Sequence, residues 1–165
     1  MVPHSATCHT AILLLFSALS WVSFYTLEAD EASGSTPAIV NETGIDGGLC
    51  VQIGAEDLRL ASALGRTGRY LVQIFDTDSS ALATAQSQLS EQGVYGLVTV
   101  HQWDDSNHLP YTENLVNLFI VQKKLDTPNG LDELMRAICP NGVILASRNT
   151  LPEKTFKESG LLNVR

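Results

Sequence analysis

Three residues lie where a polypeptide could hold a nucleotide. Gly54 follows the run "LCVQI", Asp76 follows "YLVQIF", and Asp104 follows the strand-like "LVTVHQ". A glycine directly after a short apolar run lets a ligand approach the backbone closely. A carboxylate about 20 residues further on is at the spacing where a side chain accepts hydrogen bonds from ribose hydroxyls. Asp76 stands at close to that interval beyond Gly54. One crossover helix separates adjacent strand ends, so this interval puts the glycine and the carboxylate on opposite walls of one crevice. After Gly54, however, the positions where more bare backbone would be expected hold Glu56, Asp57 and Leu58. Side chains there disfavour positive φ and obstruct close approach. Each candidate also has a plainer reading: Gly54 as a turn glycine, Asp76 as a cap for the next helix, and Asp104 beside Asp105 as a solvated turn.

Other reactive groups give no constellation. His101 and His108 have no carboxylate or nucleophile at a recognisable spacing, so the sequence names no catalytic residue. There is no CxxC, HExxH or cluster of His and Cys, so no metal site is expected. Cys8 lies near the amino terminus, while Cys50 and Cys139 read as small core residues rather than a bridge. With 10 Lys and Arg against 18 Asp and Glu, the net charge is −8. That balance argues against nucleic acid as a partner, because phosphate binding rests on clustered cations.

The elements that position these residues alternate. Apolar runs at Leu49–Ile53, Tyr70–Phe75, Leu97–Gln102, Leu115–Val121 and Val143–Ala146 read as strands. Helical spacing appears over Glu56–Leu64 with Gly65 as a stop, and over Leu82, Ala85 and Leu89 with Asp78 or Ser79 as N-cap and Gly93 as terminator. It appears again over Leu131, Leu134, Met135 and Ile138, closed by Pro140-Asn141-Gly142. Strands that alternate with helices, several of them apolar almost throughout, predict a parallel sheet covered on both faces. This is an α/β, Rossmann-like three-layer sandwich of about five strands over residues 49–148. Before it, residues 1–29 contain the apolar run Ala11–Tyr25 and read as a signal peptide or a signal anchor, which implies export. Residues 30–48 have the Ser, Thr, Gly, Pro and acid content of a flexible linker, and residues 149–165 form a tail.

Four segments then carry a resemblance: "LCVQIGAEDLRLASAL", "YLVQIFDTD", "VTVHQWDDSNHLPYTENLVNLFIV" and "LDELMRAICPNGVIL". In that order they resemble the successive motifs of class I S-adenosylmethionine-dependent methyltransferases, with "LPYTENLVNLFIV" the most telling. The resemblance implies S-adenosylmethionine as cofactor. It gives Gly54 the approach to the methionine part, Asp76 the ribose hydroxyls and Asp104 the adenine amino group, with Trp103 or its neighbour flanking the base. Several departures accompany it. Gln52 stands where the family has an acid, Glu56 and Leu58 replace loop glycines, and "QKKL" at Gln122–Leu125 lacks the family's Asn/Asp-Pro-Pro-aromatic motif. Methyl transfer depends on alignment more than on an acid or base, so a missing dyad does not exclude it. The departures imply a degenerate domain with weak or no activity, similar to segments of exported bacterial proteins that carry a PQQ-type β-propeller. An active methyltransferase is the alternative, and an NAD-type binder a further one that lacks the G-x-G-x-x-G fingerprint. Relative to the seven-stranded family fold the domain reads as truncated, so a further domain or partner chain is expected at the sheet edge beside the fifth strand. Membrane contact is expected only through the N-terminal segment.

Overall fold

A computed structural model describes residues 23–26, 36–103, 108–125, 130–146 and 149–150. The strands are β1 (Ser23–Thr26), β2 (Gly48–Ile53), β3 (Tyr70–Asp76), β4 (Val98–Gln102), β5 (Val116–Val121) and β6 (Ile138–Ala146). The helices are α1 (Thr36–Thr43), α2 (Arg59–Arg66), α3 (Ser79–Glu91) and α4 (Gly130–Ala137). Among the described residues the six strands join one sheet in the order β1-β6-β5-β2-β3-β4, and every pairing of these strands is parallel. The architecture is the α/β, Rossmann-like sandwich expected from the alternating runs. The strand order reverses between β2 and β5, which are neighbours although two strands lie between them in the chain. In open α/β sheets this switch point, at the carboxyl ends of the strands, is where a crevice opens.

The sheet is buried on both sides because its strands send apolar residues alternately to each. Cys50, Val72, Ile74, Leu118, Ile120, Val143 and Leu145 form one core with Ile39 of α1, Ala61 and Leu64 of α2, and Leu82, Ala85 and Leu89 of α3. Val51, Ile53, Phe75, Phe119, Val121 and Ile144 form the other with Leu134 and Ala137 of α4 and with Trp103 and Leu109. The local signals act at the expected places. A side-chain oxygen at an N-cap satisfies amides of the first helical turn. Asp78 does this for α3, its carboxylate accepting from the amides of Ser80 at 2.8 Å and Ala81 at 3.3 Å. Gly93 leaves that helix at φ +67°. That left-handed conformation is the usual one for a glycine ending a helix.

The structure corrects the sequence expectations at several points. The expected linker holds α1, with Ile39 buried in the first core, so the fold does not begin at Leu49. Thr36-Pro37 opens this helix, and Gly44 follows its end at φ +71°. Both are ordinary boundary residues that also suit a linker-like composition. Part of the expected leader, Ser23–Thr26, is strand β1 and pairs with Val143–Ala146. It adds a sixth strand to the five read from the sequence and fills the edge expected to stand open beside the fifth. The rest of the leader, and residues 151–165 of the tail, lie outside the described residues. Helix α2 starts at Arg59 rather than Glu56, because Gly54–Leu58 is used as a loop. Ile138, read as the last position of a helical stripe, instead opens β6 opposite Val116. Pro140 contributes to this, since a proline disfavours helical backbone in the residue before it, here Cys139, so the helix has to end ahead of that residue. Among the described residues no helix is long and apolar enough to cross a membrane.

Candidate functional site

At the switch point, where this fold class places its crevice, the ends of β2, β3 and β5 come together. β2 lies between the other two, with Ile53 in register with Phe75 on one side and with Val121 on the other. The next residue of each strand therefore converges on the same place: Gly54, Asp76 and Gln122, followed by Lys123. Gly54 adopts φ +104°. A side chain rarely tolerates that conformation. A Cβ placed there would lie 3.1 Å from Lys123 Cβ and 3.2 Å from Lys123 N. The bare face of the glycine is thus taken up by the chain itself. The amides of Gln122 and Lys123 complete the contact by donating to Ile53 O at 2.9 and 3.2 Å.

Asp76 is deeply placed, with its side chain 1% exposed. Oδ2 accepts from the Ala55 amide at 2.9 Å, and Oδ1 accepts from the Asp78 amide at 3.0 Å. Lys123 reaches across the end of β2 and donates from Nζ to the same Oδ1 at 2.7 Å. Burial alone pushes this carboxyl up, but the hydrogen bond from Lys123 and those from the two amides outweigh it and hold it below the usual carboxylate range. The reciprocal hydrogen bond raises Lys123, so both partners are ionised at neutral pH. Asp76 thus stands at the end of β3 beside the Gly54 loop, hydrogen-bonded to the amide that follows the glycine. Lys123 has no spacing signal: it meets Asp76 only because β3 and β5 flank β2.

The remaining loop positions are also settled internally. Gln52 is fully buried, and its Nε2 lies within hydrogen-bond distance of Gly54 O (2.9 Å), Asp57 O (3.0 Å) and Gln122 Oε1 (3.1 Å). Gln122 Nε2 donates to Asp57 O at 3.0 Å. An ionised acid at position 52 could only accept, so the amide has a structural reason: it donates to loop carbonyls and draws the loop onto β5. The Oε1 of Gln52 is buried without a hydrogen-bond partner. Leu58 turns into the first core and Glu56 is exposed, so the obstruction expected from these two side chains comes instead from Lys123. Trp103 belongs to the second core at 8% exposure; its amide donates to Asp76 O at 2.8 Å, and its Nε1 is buried without a partner. Asp104 lies outside the described residues. Cys50 is buried in the first core, where burial pushes its thiol up, and Cys139 is half-buried; both are free.

A charged clamp with no signature in the sequence fixes the chain beyond β4. Glu133 of α4, 4% exposed, accepts from Arg136 Nε at 2.9 Å and Nη2 at 2.6 Å and from the Leu109 amide at 2.8 Å. His108 Nδ1 lies 3.1 Å from its Oε2. Arg136 Nη2 also donates to Tyr111 O at 2.9 Å, and the Tyr111 hydroxyl reaches Gln73 on β3. Hydrogen bonding from Arg136, against the opposing effect of burial and helped by Leu109 and His108, brings Glu133 down to about 2. The cluster locks residues 108–111 over the sheet. Among the described residues no group of ligands could hold a metal.

No protein-family model and no curated protein sequence matches the chain, but many solved structures share its backbone. A protein of Methanococcus maripaludis assigned as an S-adenosyl-L-methionine-dependent methyltransferase superposes with a TM-score of 0.59 at 18% identity, over 76% of this chain and 62% of that one. Geranyl diphosphate C-methyltransferase of Streptomyces coelicolor, solved with S-adenosyl-L-homocysteine, gives 0.55 at 14% identity, over 79% and 55%. The chain has the class I methyltransferase fold. It spans less than two thirds of the length of these relatives. The class I methyltransferase fold also hosts the [4+2]-cyclase SpnF, with a TM-score of 0.56 at 20% identity, over 67% of this chain and 42% of that one. The fold therefore does not settle the chemistry, which the crevice has to decide.

Proposed function

We propose that this chain is a methyltransferase-like Rossmann domain of an exported protein, serving as a binding or scaffold module with weak or no methyl transfer. The observation that carries the reading is the engagement of Asp76. In the fold's adenosyl crevice a carboxylate at this strand end would accept ribose hydroxyls. Here the carboxylate already accepts from two amides and an ammonium, and 1% of its side chain is exposed. As they stand, the side chains do not fit the cofactor. S-adenosylmethionine remains the ligand class that the position of Gly54 and Asp76 at the switch point suggests, and the S-adenosyl-L-homocysteine of the Streptomyces relative supports that class. An active enzyme of unknown acceptor is the second reading, and it requires Lys123 to withdraw.

Calorimetric titration of S-adenosylhomocysteine into the full chain tests this. No saturable heat up to about 1 mM ligand is expected, corresponding to binding weaker than about −4 kcal/mol. Micromolar binding would overturn the reading.

Export is supported by the apolar run Ala11–Tyr25. Because Ser23–Thr26 pairs with β6, we favour an N-terminal segment that stays attached over one that is cut after Ala29. Intact mass of the exported chain decides between them: the full-length mass is expected, and loss of residues 1–29 refutes retention.

A further inference from the structure

We infer that Lys123 is an intramolecular occupant of the crevice and the residue that decides what the crevice accepts. While its ammonium sits on Asp76, ligands recognised through a vicinal diol at that carboxylate are excluded. The inference rests on the reading of the crevice as an adenosyl site and adds to it the single side chain responsible.

Three features set Lys123 apart from a surface lysine that happens to touch an acid. First, its backbone is fixed. The amide donates to Ile53 O at 3.2 Å, and its Cβ and N lie against the open face of Gly54, so the stem starts from a defined point at the switch in strand order. Second, its head group completes the coordination of a buried carboxylate. Asp76 takes one amide on Oδ2, and one amide plus Nζ on Oδ1, while Nζ also lies 3.4 Å from Thr77 Oγ1. A ribose would have to displace the strongest of these donors, since charge-assisted hydrogen bonds are roughly twice as strong as neutral ones. Third, the sign of the charge is wrong for the cofactor of this fold. S-adenosylmethionine is a sulfonium cation, and the charge of Asp76 is already neutralised by a fixed cation in its path. Asp76, accepting from Nζ at 2.7 Å, holds the ammonium, and the negative charges of Asp78 and Glu56 favour its ionised form further.

The test compares the full chain as wild type, Lys123→Met and Lys123→Met/Asp76→Asn, titrated with S-adenosylhomocysteine and with S-adenosylmethionine. Methionine keeps much of the stem and removes the ammonium. Lys123→Met is expected to bind S-adenosylhomocysteine at least tenfold more tightly than wild type. The gain for the cationic S-adenosylmethionine should be larger, and Asp76→Asn should cancel both. Lys123→Arg, which keeps the cation, should show no gain. If Lys123→Met melts cooperatively and still titrates like a silent wild type, the occupant role is refuted while the reading of a non-binding domain stands. Micromolar binding by wild type refutes that reading itself. Should Lys123→Met fail to fold, Lys123→Gln carries the same expectation and the same refutation.

Discussion

Asp76→Ala is expected to destabilise the domain by about 3 kcal/mol, measured as the shift in urea unfolding free energy at neutral pH. Breaking a buried ion pair from one side costs about 3–5 kcal/mol when the remaining charge stays buried, and each stranded buried donor costs about 1–3 kcal/mol. Lys123 can turn part of its head group to water, because its side chain is 37% exposed, so the lower end applies. The Ala55 and Asp78 amides have less freedom: they belong to loops whose course the carboxylate fixes. Asp76→Asn keeps an acceptor and should lose less than the alanine variant. The loss also has a definite pH sense. The folded carboxyl titrates below its usual range, so its contribution is present above that range and fades on acidification. A loss under about 1 kcal/mol for Asp76→Ala would show that the carboxylate is not a structural member of the crevice, and would reopen it as a ligand group.

The second large effect belongs to Glu133. Its carboxyl falls from 4.5 to about 2 on folding, so unfolding stability should drop as pH falls through that window. The loss is about 2 kcal/mol by pH 3 and about 3 kcal/mol by pH 2, because each tenfold difference in proton affinity between the folded and unfolded states is worth about 1.4 kcal/mol. Glu133→Gln should remove most of this slope while lowering stability at pH 7. It can still accept from the Leu109 amide but no longer offers a charge to Arg136. Urea titrations of both proteins at pH 7, 4 and 3 provide the check. Parallel losses in wild type and Glu133→Gln would refute the assignment. The pairs most exposed to solvent, such as Arg59 with Asp57, should add little to either slope.

How much of this is legible in the sequence differs by residue. The strands at Leu49, Tyr70, Leu97, Leu115 and Val143 are legible because a parallel sheet covered on both faces demands unbroken apolar runs. Asp78 and Gly93 are legible because caps act locally. Helix α1 is not: its composition is that of a linker, and it buries Ile39 by a tertiary contact that no period reveals. β1 is hidden inside a run that has the length and polarity of a leader. Spacing places Gly54 and Asp76, yet spacing cannot say what faces them. Lys123 stands 47 positions after Asp76, and only the order of β3, β2 and β5 sets one against the other. The clamp at Glu133 is hidden for the same reason, since His108, Leu109 and Arg136 meet only after the chain has crossed the sheet.

The pairing of β1 with β6 also bears on how the domain is made. Ser23 meets Val143, so the first of the described strands to be synthesised waits for the last of them. Until the two pair, both strands present unsatisfied backbone to the surroundings, and once β2 is in the sheet the connection left to close is the segment of about 20 residues between Thr26 and Gly48. During synthesis the sheet can be assembled from β2, β3 and β4 outward, with its amino-terminal strand docking last, after the other five have found their places.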